Sequence, residues 1–134
     1  MFKPIFGDSS SSQNFQQSAS CGSFSSTSSS FVDVTNLSVS ITTTGRRVCI
    51  HIVPDGGTTT RGMIGAAGQA FIQALRDSTV VGVSGSTVSY SVPSSSFVFY
   101  DSPAAVNYTY KIQGKTLSGD LWSVTNNVVV VYEM

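Results

Sequence analysis

From Thr35 to the end of the chain, Val, Ile, Phe and Tyr alternate with Ser, Thr, Asn and Gly at a spacing of two. That period belongs to half-buried β-strands, whose successive side chains point to opposite faces. The pattern predicts a short strand over 31–34 and a cleaner one over 36–43, with Leu37, Val39 and Ile41 on one face. A third over 46–54 carries Val48, Ile50 and Ile52, and the Thr44-Gly45 turn between them predicts a hairpin. Further strands are expected over 69–75, 79–83, 87–92, 96–100, 105–114, 121–124 and 128–132. The last is a continuous apolar run, as in a strand buried on both faces or at an interface. Met63, Ala67, Phe71 and Leu75 also fit a helical spacing. Gly62, Gly65 and Gly68 would each weaken such a helix by about 1 kcal/mol, so a loop over 58–68 leading into a strand is preferred to a short helix. Many short strands separated by turn signals predict an all-β antiparallel β-sandwich or jelly roll.

Residues 1–30 break the pattern. They are rich in serine and almost without charge, a composition that cannot bury enough apolar surface to fold alone. Phe2, Pro4, Ile5, Phe6, Phe15 and Phe24 are nevertheless spaced through it, which predicts an extended docking arm followed by a β-domain over 31–134. Fixing ten residues costs on the order of 10–20 kcal/mol, whereas burying four apolar anchors returns about 6–12 kcal/mol. One arm therefore docks weakly, and several arms on one oligomer dock firmly through effective concentration.

Charge narrows the classes of partner. Charged residues make up 10% of the chain and the hydrophobic set 40%, with seven basic and seven acidic side chains giving a formal charge of zero. No broad field is available to attract nucleic acid or an anionic membrane. The first residues lack the apolar core of a signal peptide and no stretch approaches a membrane span, so synthesis in a reducing compartment is expected. Cys21 then lies in a polar tract and Cys49 in a strand, both as free thiols.

Little in the sequence suggests catalysis. Gly7-Asp8-Ser9-Ser10 resembles an esterase nucleophile motif, but it opens a serine tract and has no downstream Asp-x-x-His. Gly62-x-x-Gly65-x-x-Gly68 lacks the strand-turn-helix setting of a phosphate loop and reads as a loop with unusual backbone angles. His51 and Cys49 are too few for a zinc site. Asp33, Asp55, Asp77, Asp101 and Asp120 fall at expected turns or strand ends. The reading is of a non-enzyme that needs no cofactor or metal.

Four stretches stand out from residue 31 onward: Val39-Ser-Ile41-Thr-Thr-Thr-Gly45-Arg46-Arg47-Val48, Asn107-Tyr-Thr-Tyr110-Lys-Ile112, Ser118-Gly119, and Asn127 running into Tyr132-Glu133-Met134. In these the chain resembles the small jelly-roll head domains of tailed-bacteriophage virion proteins. The resemblance implies a homotrimer in the virion, made in the host cytoplasm, with Tyr108, Tyr110, Val129 and Val131 at the subunit interface. The absence of a shaft pattern favours a capsid decoration or cement protein, docked by its arm on the major capsid protein or another virion protein. The alternatives are the receptor-binding head of a short tail fibre and a carbohydrate-binding module recognising a host-surface glycan.

Overall fold

The computed structural model describes residues 14–58, 61–86 and 88–134. Twelve strands run in chain order: β1 (Phe15–Gln17), β2 (Ser23–Ser26), β3 (Val32–Thr42), β4 (Val48–Pro54), β5 (Met63–Ala66) and β6 (Ala70–Arg76). They continue with β7 (Thr79–Ser86), β8 (Tyr90–Pro93), β9 (Val98–Asp101), β10 (Asn107–Thr116), β11 (Trp122–Thr125) and β12 (Asn127–Glu133). Two of the four-stranded sheets repeat one chain order, β1-β12-β4-β9 and β2-β11-β5-β8. Four chain segments each give one strand to both, so the pair forms one long front layer bent across its middle. The back layer is β3-β10-β6-β7. Counted as eight segments, the front order is 1-8-3-6 and the back order 2-7-4-5, which is a jelly roll.

The bend has local causes. Gly22 (φ 60), Asn126 (φ 54) and Gly56 (φ 90) occupy left-handed backbone at the break, and a 3-10 turn at Ser94–Ser96 interrupts the sixth segment, between β8 and β9. The freed backbone groups are reclaimed across it. Cys21 N donates to Asn127 O at 2.9 Å, Asn126 N to Gly22 O at 2.7 Å and Asp55 N to Asn126 O at 3.0 Å. Asn127, buried, also sends its amide nitrogen to the carbonyls of Met63 and Thr125. Sheet hydrogen bonding is thus replaced, not lost.

The core fills the space between the layers. Leu37, Ile41, Tyr110, Ile112 and Ile72 come from the back; Ile50, Ile52, Ile64, Val124, Val129 and Val131 come from the front, all buried. Trp122 lies against Gly114, where a Cβ would enter its ring, and meets Phe24 edge-on with centroids 5.3 Å apart. A second tie crosses the layers. Asp101 on β9 accepts from Arg76 Nη1 at 2.8 Å and from the Tyr110 hydroxyl at 2.7 Å. Burial, reinforced by that carboxylate, pushes the Tyr110 phenol far above its ordinary range.

The structure corrects several sequence expectations. The boundary at residue 30 does not hold for the described part of the arm: Phe15–Gln17 pair with Val130–Tyr132, and Ser23–Ser26 pair with Trp122–Thr125. Residues 36–43 and 46–54 do not form a hairpin, because β3 pairs with β10 in the back layer while β4 pairs with β12 and β9 in the front. Gly45 (φ 89) turns the chain between layers. The two strands expected over 31–43 are one, bulged around Asn36 (φ 65). The preferred strand over 69–75 is present as β6, and the loop expected at 58–68 contains β5. Gly62, Gly65 and Gly68 do not take positive φ. A Cβ on Gly62 would meet Asn127 Oδ1 at 2.7 Å, so its need is room, not an unusual angle. Cys21 is 7% exposed, its Sγ directed at Val124 O, because the polar tract around it is part of the sheet.

Gly114→Ala forces the Trp122 ring out of its place, so it lowers stability by about 1–3 kcal/mol. Chemical denaturation checks this, and an unchanged or raised midpoint would contradict the close packing described.

Candidate functional site

The outer face of the back layer carries an apolar patch assembled from four chain segments. Pairing aligns Lys115 with Phe71 and Phe71 with Gly85, while one row along Gln113, Gln73 and Val83 align. Gly85 lacks the Cβ that would strike the Phe71 ring, so the ring packs against the β7 backbone there. Phe31, just before β3, and Leu117, just after β10, complete the patch. Two shallow grooves share Phe71 and Val83: one of about 480 Å³ reaching Gly85 and Ser86, and one of about 260 Å³ reaching Phe31, Lys115 and Leu117. Lys115 holds its ammonium 4.8 Å from the Phe31 centroid and 5.9 Å from that of Phe71. Val83 is 54% exposed and Leu117 56%.

Beside the patch runs an unguarded edge. Among the described residues β7 pairs only with β6, and its eight residues carry neither charge nor proline. Other edges are blunted. β1 and β2 are short, β8 ends in Pro93, β9 ends in Asp101, and β3 carries Asp33 and its bulge. Unpaired edges of β7's length and composition are templates for association. Farther along the same face Leu75 and Val80 align with Lys111, and the polar groups there are paired: Gln73 donates to Gln113, Gln113 to Asp33, and Lys111 pairs with Asp33 at 3.1 Å. The Gln113 bond is the main cause holding the Asp33 carboxyl below its usual range.

The root of the arm is fixed at the opposite end. Glu133 is 4% exposed and accepts from Thr44 N, Thr44 Oγ1, Arg46 N and Asn14 Nδ2, the last at 2.8 Å. Asn14 also donates to Thr42 O. Burial opposes the charge on Glu133, but the donated bonds outweigh it and hold the carboxyl below its ordinary range.

The residues singled out from sequence fall in several places. Phe2, Pro4, Ile5 and Phe6, and the Gly7-Asp8-Ser9-Ser10 motif, lie outside the described residues. Phe15 is 48% exposed on β1, whereas Phe24 packs against Trp122 and serves the core. Tyr110, Val129 and Val131 are fully buried within one chain, so they are core positions and not a subunit interface. Tyr108 is partly buried beside them, with Arg76 over its ring at 5.2 Å. His51 bonds Ser95 O at 3.0 Å. Among the described residues no three His, Cys, Asp or Glu side chains cluster to hold a metal. The patch on β6 and β7 was missed because its members are spread over four segments. Its one sequence signal is the uncharged run Thr79–Ser86.

No family model matches the chain, and no curated protein matches it in sequence. Among solved structures, a chain of the T13 IBDV viral particle is similar with a TM-score of 0.40 and 8% identity, over 90% of this chain and 31% of that one. VP2 of the infectious bursal disease virus subviral particle gives a TM-score of 0.26 and 11% identity, over 99% of this chain and 40% of that one. The chain spans well under half the length of these proteins.

Glu133→Gln puts an amide nitrogen among N–H donors, so stability falls by about 1.5–3 kcal/mol. The sign with pH follows from the lowered carboxyl. Its stabilisation is complete above the unfolded glutamate range and is lost as pH falls through the lower folded value. Wild type therefore loses more stability than Glu133→Gln on acidification below that range; parallel pH profiles would show that the carboxylate does not act this way.

Proposed function

We propose that this chain is a structural part of a virus particle and not an enzyme, and specifically a decoration or cement protein on the capsid of a tailed phage. The observation that carries the reading is the uncharged β7 edge flanked by Phe31, Phe71, Val83 and Leu117. A jelly roll that presents such a face on a surface otherwise solvated by hydroxyls and amides is suited to sit against other proteins. The resemblance of residues 39–48 and 107–112 to phage head domains supports the same reading, as does the apolar content of residues 2–6. In this reading residues 1–13 are the tether that keeps the domain in the particle. Self-association and contact with other virion proteins follow, and the trimer remains part of the proposal with its interface moved off Tyr110, Val129 and Val131.

Cryo-electron microscopy of intact particles tests the assignment. Density for this domain repeated with capsid symmetry is expected. Density only at the tail would replace it with the fibre-head reading, and particles without the protein would remove both. A chain lacking residues 1–13 keeps every described strand, so it is expected to fold and yet no longer co-purify with particles. Removing residues 1–30 would instead delete β1 and β2 and cost the fold.

A further inference from the structure

The β6–β7 groove is open and apolar, and the chain carries an apolar run of matching chemistry in residues 2–6. We infer that residues 2–6 of one copy dock in the groove formed by Phe71, Val83, Phe31 and Leu117 on a second copy. This rests on the tether reading above and makes the receiving surface another copy of this chain, so that the arm keeps a copy in the particle by holding it to its neighbours.

The fit is chemical first. Phe2, Pro4, Ile5 and Phe6 form the densest apolar run in the first thirteen residues, and the groove sets Phe31, Phe71, Val83 and Leu117 together beside the uncharged β7 edge. The groove's one cation is Lys115, and Asp8 follows Phe6 by two residues. Docking would therefore cover the rings of Phe31 and Phe71 and set a carboxylate near the ammonium that already lies over them.

Length decides between a copy's own groove and its neighbour's. Asn14 is fixed beside Thr42, and Thr42 pairs with Asn107, at the start of β10. The groove lies at Lys115 and Phe71, at the other end of β10 and one strand across. Eight residues along β10 are about 26 Å, and two strand spacings are about 10 Å, so the separation is about 28 Å. Residues 7–13 join Phe6 to Asn14. Their full contour is about 26–29 Å, whereas a relaxed Gly/Ser-type chain of that length spans about 15 Å. Reaching its own groove would demand a fully taut linker over a curved surface. A neighbouring copy can bring its groove to the arm without that demand.

Cysteine pairing in the full-length protein tests this directly. A Phe6→Cys chain is mixed with a separately tagged Val83→Cys chain and oxidised under native conditions; the native thiols Cys21 and Cys49 are buried, and wild type serves as the control. A disulfide joining the two tags is expected. Cross-linking found only within a chain, in the Phe6→Cys, Val83→Cys double variant, overturns the inference, as does no cross-linking at all. Light scattering of the full chain over a concentration series supplies a second measure. Val83→Lys, at an exposed position, is expected to weaken self-association about tenfold or more, because each buried apolar anchor is worth about that factor. A synthetic peptide of residues 1–13 should compete with assembly, and the same peptide with Phe6→Ser should not. Assembly that ignores both Val83→Lys and the peptide sinks the inference. If particle attachment still depends on residues 1–13 in that case, the tether reading survives and its receiving surface is another protein.

Discussion

The front layer depends on one closure: the last strand must lie between the first segment and the third. β12 pairs with β1 on one side and β4 on the other, and β11 sits between β2 and β5 in the same way. Everything in the front layer hangs on these pairings, which join residues from 56 positions apart (Trp122 with Ala66) to 117 apart (Phe15 with Tyr132). Such contacts are entropically expensive to close, because the intervening loop must be ordered before they form. The structure secures them with more than backbone bonds. Ser18 exchanges bonds with Val129 through both its backbone and its hydroxyl, and Glu133 gathers Asn14, Thr44 and Arg46 around the point where the first and last segments meet.

This closure explains why four buried polar side chains gather at the bend and at the chain ends, while the space between the layers is filled by aliphatic and aromatic side chains. Asn127, Ser18, Thr43 and Glu133 are all buried, and each bonds backbone groups where regular pairing stops. A buried donor or acceptor left alone costs about 1–3 kcal/mol, so these side chains are worth more here than an aliphatic of equal size. The Arg76, Asp101 and Tyr110 cluster does a different task, tying the front edge strand β9 to β6 and β10 behind it.

Alternation along the chain revealed the strands of the body but not their partners. β3 and β4 looked like a hairpin because a Thr-Gly turn separates two amphipathic runs; nothing local records that the second run faces a different layer. β2 was hidden more thoroughly. Its sequence is Ser-Phe-Ser-Ser, so Phe24 alone signals a buried face, and serine composition suggested a free arm. Val129, Val131 and Tyr110 were placed at an interface because strands apolar on both sides suit one, yet a central strand within a single domain has the same composition. The patch on β7 was illegible for a related reason. The irregularity between Ala74 and Leu75 shifts the register, so the side chains that reach the outer face no longer follow a period of two.

The position of β12 also has a consequence for synthesis. A ribosome exposes residues 15–54 long before residues 127–133 exist, so β1 and β4 emerge without the strand that joins them. The front layer can close only once nearly the whole domain has emerged. Until then the nascent chain carries two open strand edges, β4 among them with Ile50 and Ile52, and its hydroxyl-rich, weakly charged composition offers little repulsion between neighbouring chains.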